Sequence, residues 1–166
     1  MAAREAGETS RADAGPEDAR RAAWMSTLAK ARPAELEDRW AALCDNLDET
    51  PDWRRLRGPE TGMVMVRGRA GGDGRPFNLG EMTVTRCTVR MADGGVGHAY
   101  VAGRDGHHAE LAAAVDALMQ DQARAAATDD AVIRPLAEAQ AARRELAARQ
   151  ANATKVEFFT LVRGED

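Results

Sequence analysis

From Pro16 onward, the apolar positions of the chain fall into three successive patterns. The first is helical. Pro16 suits the opening position of a helix, and Glu17 and Asp18 follow it, where the helix dipole favours negative charge. Ala22, Ala23, Trp24, Leu28 and Ala29 then give that helix an apolar side. Pro33 opens a second helix whose stripe, Leu36, Trp40, Leu43, Cys44 and Leu47, follows i, i+4, i+7 spacing, and Pro51 ends it.

The period then changes to two. Met63-Val64-Met65-Val66 is β-prone and leads into a loop containing Gly68, Gly71, Gly72 and Gly74. Between Glu81 and Met91 the chain alternates: Thr83, Thr85, Cys87, Val89 and Met91 share one face, and Met82, Val84, Arg86, Thr88 and Arg90 the other. Asp93-Gly94-Gly95 has the chemistry of a hairpin turn, and residues 96–102 form the returning strand. Strands joined in this way are antiparallel.

Helical spacing returns after Asp105. Leu111, Ala112, Val115, Leu118, Met119 and Gln122 recur on one side, and Thr128-Asp129-Asp130 is expected to break the helix. Pro135 biases Arg134 away from the α conformation and starts a polar, Ala- and Arg-rich helix to about Ala151, closed by Asn152 and Thr154. The segment Val156 to Val162 is β-prone, with Phe158 and Phe159, and is expected to return to the sheet or dock on a partner. The pattern therefore predicts an α+β fold: an antiparallel sheet of about four strands packed against helices, with an N-terminal helical pair. A single domain is expected over residues 16–166. Residues 1–15 are rich in Ala, Glu, Arg and Gly without apolar periodicity and read as a disordered tail.

Composition sharpens this picture. A chain of 166 residues fits one domain. Hydrophobic residues make up 44% but aromatics only 4%, so the core rests on Ala, Leu, Val and Met, a thin core that leans on a partner. The net charge of -4 argues against nucleic acid as a partner. Arg54, Arg55, Arg57, Arg67, Arg69 and Arg75 nevertheless crowd one stretch, with Arg86, Arg90 and Arg104 beyond it. Such local basicity suits a phosphorylated ligand or an acidic protein surface. Two cysteines, Cys44 and Cys87, make no disulfide framework. No apolar run reaches membrane-spanning or signal-peptide length, so the expectation is a soluble, cytoplasmic protein with no membrane contact.

Few residues carry chemistry. Cys44, Cys87, His98, His107 and His108 show no metal-ligand spacing, and neighbours such as His107 and His108 diverge by about 100° on a helix, so no metal site is expected. The Gly71-Gly72-Asp73-Gly74 loop lacks the Gly-Lys-Ser/Thr ending of a phosphate loop and reads as a hairpin connection. Arg86 and Arg90 lie four apart on one strand face, with Arg67 and Arg69 expected on a neighbouring strand. They form either a solvated charged face or a bidentate site for phosphate or phosphonate oxygens. Asp105 is placed to cap the following helix, accepting from the amides of that first turn. His108 falls on the apolar side of that helix. It is either a buried, hydrogen-bonded packing residue or, with Arg104, a group that reaches an anion at the helix start, which makes it the candidate catalytic residue. No complete catalytic set stands out.

At these residues the chain resembles a known family. Gly103-Arg104-Asp105 with His108-Ala109-Glu110 and Asp116-Ala117-Leu118-Met119-Gln120 is similar to PhnG of the bacterial carbon–phosphorus lyase system. Trp24-Met25-Ser26 with Leu28-Ala29, then Pro33-Ala34-Glu35-Leu36, resembles the family's opening. Glu60-Thr61-Gly62, Gly71-Gly72, Thr83, Thr85-Arg86 and Val89-Arg90 resemble its central strands, and Phe158-Phe159-Thr160 with Val162-Arg163-Gly164 its close. The likeness runs in order from about Trp24 to Gly164, and the tail before Pro16 departs from it. The resemblance implies a subunit of a transferase complex, ribose 1-methylphosphonate 5-triphosphate synthase. That complex transfers the ribose 5-triphosphate moiety of ATP, a magnesium-bound substrate, to a phosphonate and releases adenine. It implies partners of the PhnH, PhnI, PhnJ and PhnL kinds, PhnI most directly, and no cofactor bound by this subunit. Its alternative is a structural subunit that stabilises the PhnI-like partner and touches no substrate. The resemblance supplies no established catalytic residue for this chain.

Overall fold

The computed structural model describes residues 15–47, 49–70 and 74–154. Two helices, α1 (Pro16–Lys30) and α2 (Pro33–Cys44), precede an antiparallel sheet of β1 (Trp53–Arg69), β2 (Pro76–Met91) and β3 (Val96–Ala102), paired in the order β1-β2-β3. Helix α3 (Gly106–Gln120) follows. A short α4 (Ala125–Thr128), a π-helical turn (Asp129–Ile133) and α5 (Arg134–Ala153) then form one continuous helical run. This is the α+β architecture the pattern predicts, helical pair included. Three strands are present among the described residues. The β-prone segment Val156 to Val162, the tail at residues 1–14 and part of the Gly71–Gly74 loop lie outside them.

Helix α3 organises the core. Every residue from Leu111 to Met119 is buried. A helix that is buried all round must be covered on every side. The sheet covers one side through Cys87, Val89 and Met91, which share one face as the alternation predicts, and through Ala99 and Val101 of β3. Leu28, Leu36, Leu43, Val132 and Leu136 close the other side from α1, α2 and the C-terminal helical run. Trp40 on α2 stacks edge-on against Trp53 of β1, with ring centroids 5.4 Å apart. The small residues of α3 let the sheet approach closely. At Gly97 a Cβ would run into the Ala113 carbonyl oxygen and the Ala117 amide, so β3 and α3 touch backbone to backbone there.

Several boundaries differ from the expectation. Strand β1 begins at Trp53, ten residues before Met63, and continues through Gly68 to Arg69; β2 begins at Pro76 rather than Glu81. Pro59 is tolerated in β1 because the strand is at the sheet edge and its pairing is irregular between Arg57 and Glu60. Helix α2 stops at Cys44, well before Pro51. Ala22 and Ala23 on α1 are exposed.

The break after α3 comes at residues 121–124, so Gln122 is outside the helix and Thr128-Asp129-Asp130 lies within the next one. The Asp121 carboxylate accepts from the Ala123 amide at 3.0 Å, a local bond that competes with helix continuation. Arg124 then clamps Asp121 and reaches Asp93 in the β2–β3 turn. Thr128 is instead buried. Arg134 is α-helical despite Pro135. The preceding turn widens to a π-helix, in which the Arg134 amide bonds back to the Asp129 carbonyl, and this loosened geometry takes in the proline.

Candidate functional site

The residues that carry chemistry gather around the start of α3 and its contacts, and most are tied to one another. Asp105 occupies the N-cap and accepts from the His108 amide at 2.9 Å. Gly103, two residues before it, has φ 92°, a left-handed turn that swings the chain from β3 into the helix. Its carbonyl receives the Thr85 hydroxyl at 2.8 Å, and its amide bonds the Thr83 carbonyl at 2.9 Å. The sharp turn is therefore pinned from β2.

His108 points away from solvent. Its Nε2 lies 2.9 Å from the Leu28 carbonyl, an oxygen near the end of α1. A carbonyl oxygen only accepts, so Nε2 carries the proton in this bond. The side chain is 4% exposed and ties α1 to α3. His107, by contrast, is exposed, with Nε2 3.6 Å from Glu37 on α2. Arg104 is also exposed, with no side-chain hydrogen bond among the described residues.

Glu110 lies one turn into α3 and clasps the start of β1. It accepts from Trp53 Nε1 at 3.0 Å and from Arg55 through two bonds of 2.9 and 2.8 Å. The Arg55 guanidinium holds the Glu110 carboxyl below its ordinary range, with help from the Trp53 indole, against the opposing effect of burial.

Asp116 was not among the residues singled out by pattern, yet it is the most heavily bonded side chain described. The carboxylate is fully buried. Arg21 donates to both oxygens at 3.2 and 2.7 Å, and Trp24 Nε1 donates at 2.8 Å. The His98 amide donates at 2.9 Å and Gln120 at 3.2 Å. One carboxylate thus joins α1, the edge of β3 and α3. Gln120 also caps the Val96 carbonyl, so part of the β3 edge is satisfied by α3 side chains. The sequence signal was available: a lone Asp among Leu118, Val115 and Ala112 must find donors to be buried.

The three arginines proposed for an anion do not converge. Arg90 is opposite Val96 and Arg86 opposite Tyr100, while Arg104 follows the far end of β3. From position 96 to 104 an extended chain covers about 25 Å. Arg67 and Arg69 do not align with Arg86 and Arg90 either. They face Asn78 and Pro76 near the hairpin tip, because the register pairs Glu60 with Arg86 and Arg54 with Arg90. Glu60 accepts from Arg86 at 3.0 and 2.9 Å and holds that guanidinium above its ordinary value. Cross-strand pairing thus sets Arg54, Arg57, Arg86 and Arg90, with one carboxylate, Glu60, on the sheet face opposite α3. His98 shares that face, its Nδ1 3.1 Å from the Thr88 hydroxyl. Nε of Arg90 is buried with no hydrogen-bond partner among the described residues.

Burial pushes the Cys87 and Cys44 thiols up, away from the reactive thiolate. No His, Cys, Asp or Glu trio of metal-binding geometry occurs among the described residues. Between α1 and β3 there is an open groove of about 240 Å³, lined by Met25, Ala29, Ala99 and Tyr100 among others. No described helix is long and apolar enough to cross a membrane.

Two comparisons bear on what this arrangement serves. Residues 19–164 match the family model described as "Phosphonate metabolism protein PhnG". A relative from Rhizobium meliloti (strain 1021), named "Alpha-D-ribose 1-methylphosphonate 5-triphosphate synthase subunit PhnG", is 47% identical over 148 residues. That alignment covers 89% of this chain and 92% of the relative.

Proposed function

Because the chain belongs to the PhnG family of phosphonate metabolism proteins, we propose that it serves as a subunit of an α-D-ribose 1-methylphosphonate 5-triphosphate synthase. The complex is a transferase that moves the ribose 5-triphosphate moiety of magnesium-bound ATP to a phosphonate and releases adenine in the cytoplasm. This subunit binds no cofactor of its own, is inactive alone, and joins PhnH-, PhnI-, PhnJ- and PhnL-like partners, the PhnI-like chain most directly.

Within that complex its contribution is to assemble and brace the site rather than to make or break bonds. The observation that carries this reading is the fate of the polar residues around α3. Asp105, His108, Glu110 and Asp116 are each committed to an internal hydrogen bond. A general acid or base needs a free proton-transfer route to substrate, and these groups have spent theirs on holding elements together. One observation favours a further contact with substrate: among the described residues the sheet face opposite α3 carries Arg54, Arg57, Arg86 and Arg90 against one carboxylate, Glu60. Guanidinium groups in such a row suit phosphate oxygens.

Reconstitution tests the proposal. The synthase subunits are assembled with and without this chain, and adenine release is measured with ATP and methylphosphonate. Phosphonate-dependent adenine release is expected to fall at least ~100-fold when the chain is omitted, a loss of about 2.7 kcal/mol or more in barrier terms. Release that is undiminished without it contradicts the proposal. In the same assay, Arg90→Ser is expected to raise KM for ATP several-fold with assembly intact if the arginine face meets the triphosphate; an unchanged KM removes that contact from the account.

A further inference from the structure

The outer half of the β1–β2 hairpin has no cover. Strand β3 ends at Ala102, opposite Val84, so beyond that point the sheet narrows to two strands. Residues 62–69 and 76–83 continue as a ribbon about 25 Å long. Six large apolar side chains stand out of it: Met63, Val64, Met65, Phe77, Leu79 and Met82. Met63 is 70% exposed and Leu79 66%, values typical of charged surface residues rather than apolar ones.

The pairing places these side chains on both faces. Met63 pairs with Thr83 and Met65 with Glu81, on the face that packs against α3 further down the sheet. Val64 pairs with Met82, on the opposite face. An isolated two-stranded ribbon is marginal in water, and one that is apolar on both faces gains nothing from solvent. Summed over both faces the six side chains offer on the order of 600 Å², comparable to the ~800 Å² that one partner contributes to a stable interface.

We propose that this ribbon is an insertion arm, gripped on both faces by another subunit of the synthase in an apolar cleft with an acidic rim. The inference rests on the subunit assignment above. The acidic rim follows from charge: Arg67, Arg69 and Arg75 outnumber the two carboxylates of the same stretch of sequence, Asp73 and Glu81. The chain as a whole is net -4, so the arm is a basic element on an acidic protein. A different subunit, rather than a second copy of this chain, is the occupant because a two-faced arm needs a cleft. The groove between α1 and β3 of this chain, at about 240 Å³, is below the ~300–1,000 Å³ of sites that take even a small ligand. Three of the six side chains are Met, whose flexible thioethers adapt to a partner's surface.

The test uses full-length chain co-expressed with the other synthase subunits. The arm variant Met63→Ser/Met65→Ser/Leu79→Ser is compared with wild type and with Leu146→Ser, an exposed apolar position on α5. The arm variant is expected to unfold at the wild-type temperature yet lose at least ~10-fold in recovery with the other subunits, with Leu146→Ser unchanged. A photocrosslinker at position 79 is expected to join a different subunit. Undiminished recovery of the arm variant overturns the arm proposal and leaves the subunit assignment standing. Crosslinking only to a second copy also overturns it, in favour of self-association. If wild type itself recovers no other subunit, the subunit assignment fails and the arm proposal fails with it.

Discussion

Asp116→Ala is expected to cost about 2–5 kcal/mol of stability, mostly from donors left without an acceptor. The reason is the number of donors that lose their acceptor at once. Arg21, Trp24 Nε1 and the His98 amide all converge on this carboxylate. The Trp24 indole and the His98 amide would be left half-buried and unpaired, each at about 1–3 kcal/mol. Arg21 is less of a liability because its side chain is 33% exposed and can turn to water. Arg21→Ala is therefore expected to cost less than Asp116→Ala. With domain stabilities of about 5–15 kcal/mol, the loss at Asp116 threatens folding itself. Urea denaturation of both variants checks this. A loss under ~1 kcal/mol for Asp116→Ala would show that the carboxylate does not hold α1, β3 and α3 together.

The second large effect is expected at Gly97. Gly97→Ala adds one methyl group where β3 and α3 meet backbone to backbone. The added carbon would collide with the Ala113 carbonyl oxygen and crowd the Ala117 amide. Neither is a flexible side-chain end, so the strand and helix must separate. That separation loosens Ala99, Val101 and the α3 face they pack on. Overpacking of this kind costs about 1–3 kcal/mol in side-chain contacts, and this one, against backbone, is expected at about 3 kcal/mol. Gly62→Ala is the control: its Cβ would meet nothing within 4 Å, and its expected effect is within ~0.5 kcal/mol. Equal stability of the two variants, measured by thermal unfolding, would refute the close contact.

The legible parts of the fold were those where one physical signal dominates. Alternation from Thr83 to Met91 puts Thr85, Cys87, Val89 and Met91 on one face, and each is buried. The Asp105 cap was readable because a carboxylate before an apolar helical run has one evident use. The early half of β1 was not, because Arg54, Arg55, Arg57 and Pro59 look unlike a strand. What makes it one is tertiary: Glu110 clasps Arg55 and Trp53 from α3. The helix break falls at residues 121–124, before Thr128, for a related reason. Thr128-Asp129-Asp130 has poor helix propensity, but the burial of Thr128 and Val132 against the core overrides it.

The candidate site was legible in its members but not in its geometry. Arg86 and Arg90 do share a face, yet the sequence could not show that β1 supplies Glu60 to one and Arg54 opposite the other. Register depends on the pairing irregularities at Arg57–Glu60 and Val66–Arg67, which no local pattern announces. The bonding of Asp116 is not local: apart from Gln120, its partners lie 18 to 95 residues away.

On the function proposed above, this subunit braces the synthase through buried polar bonds, His108 among them, without carrying the chemistry. His108→Ala in the assembled complex tests it most directly. The bond to the Leu28 carbonyl would be lost, so the variant chain is expected to be less stable and its complex to form in lower yield. Adenine release per assembled complex is expected to stay within ~2-fold of wild type, far from the ~100-fold or greater loss that removing a general acid or base produces. A fully assembled His108→Ala complex with release reduced by ~100-fold would contradict the claim and return His108 to the reaction itself.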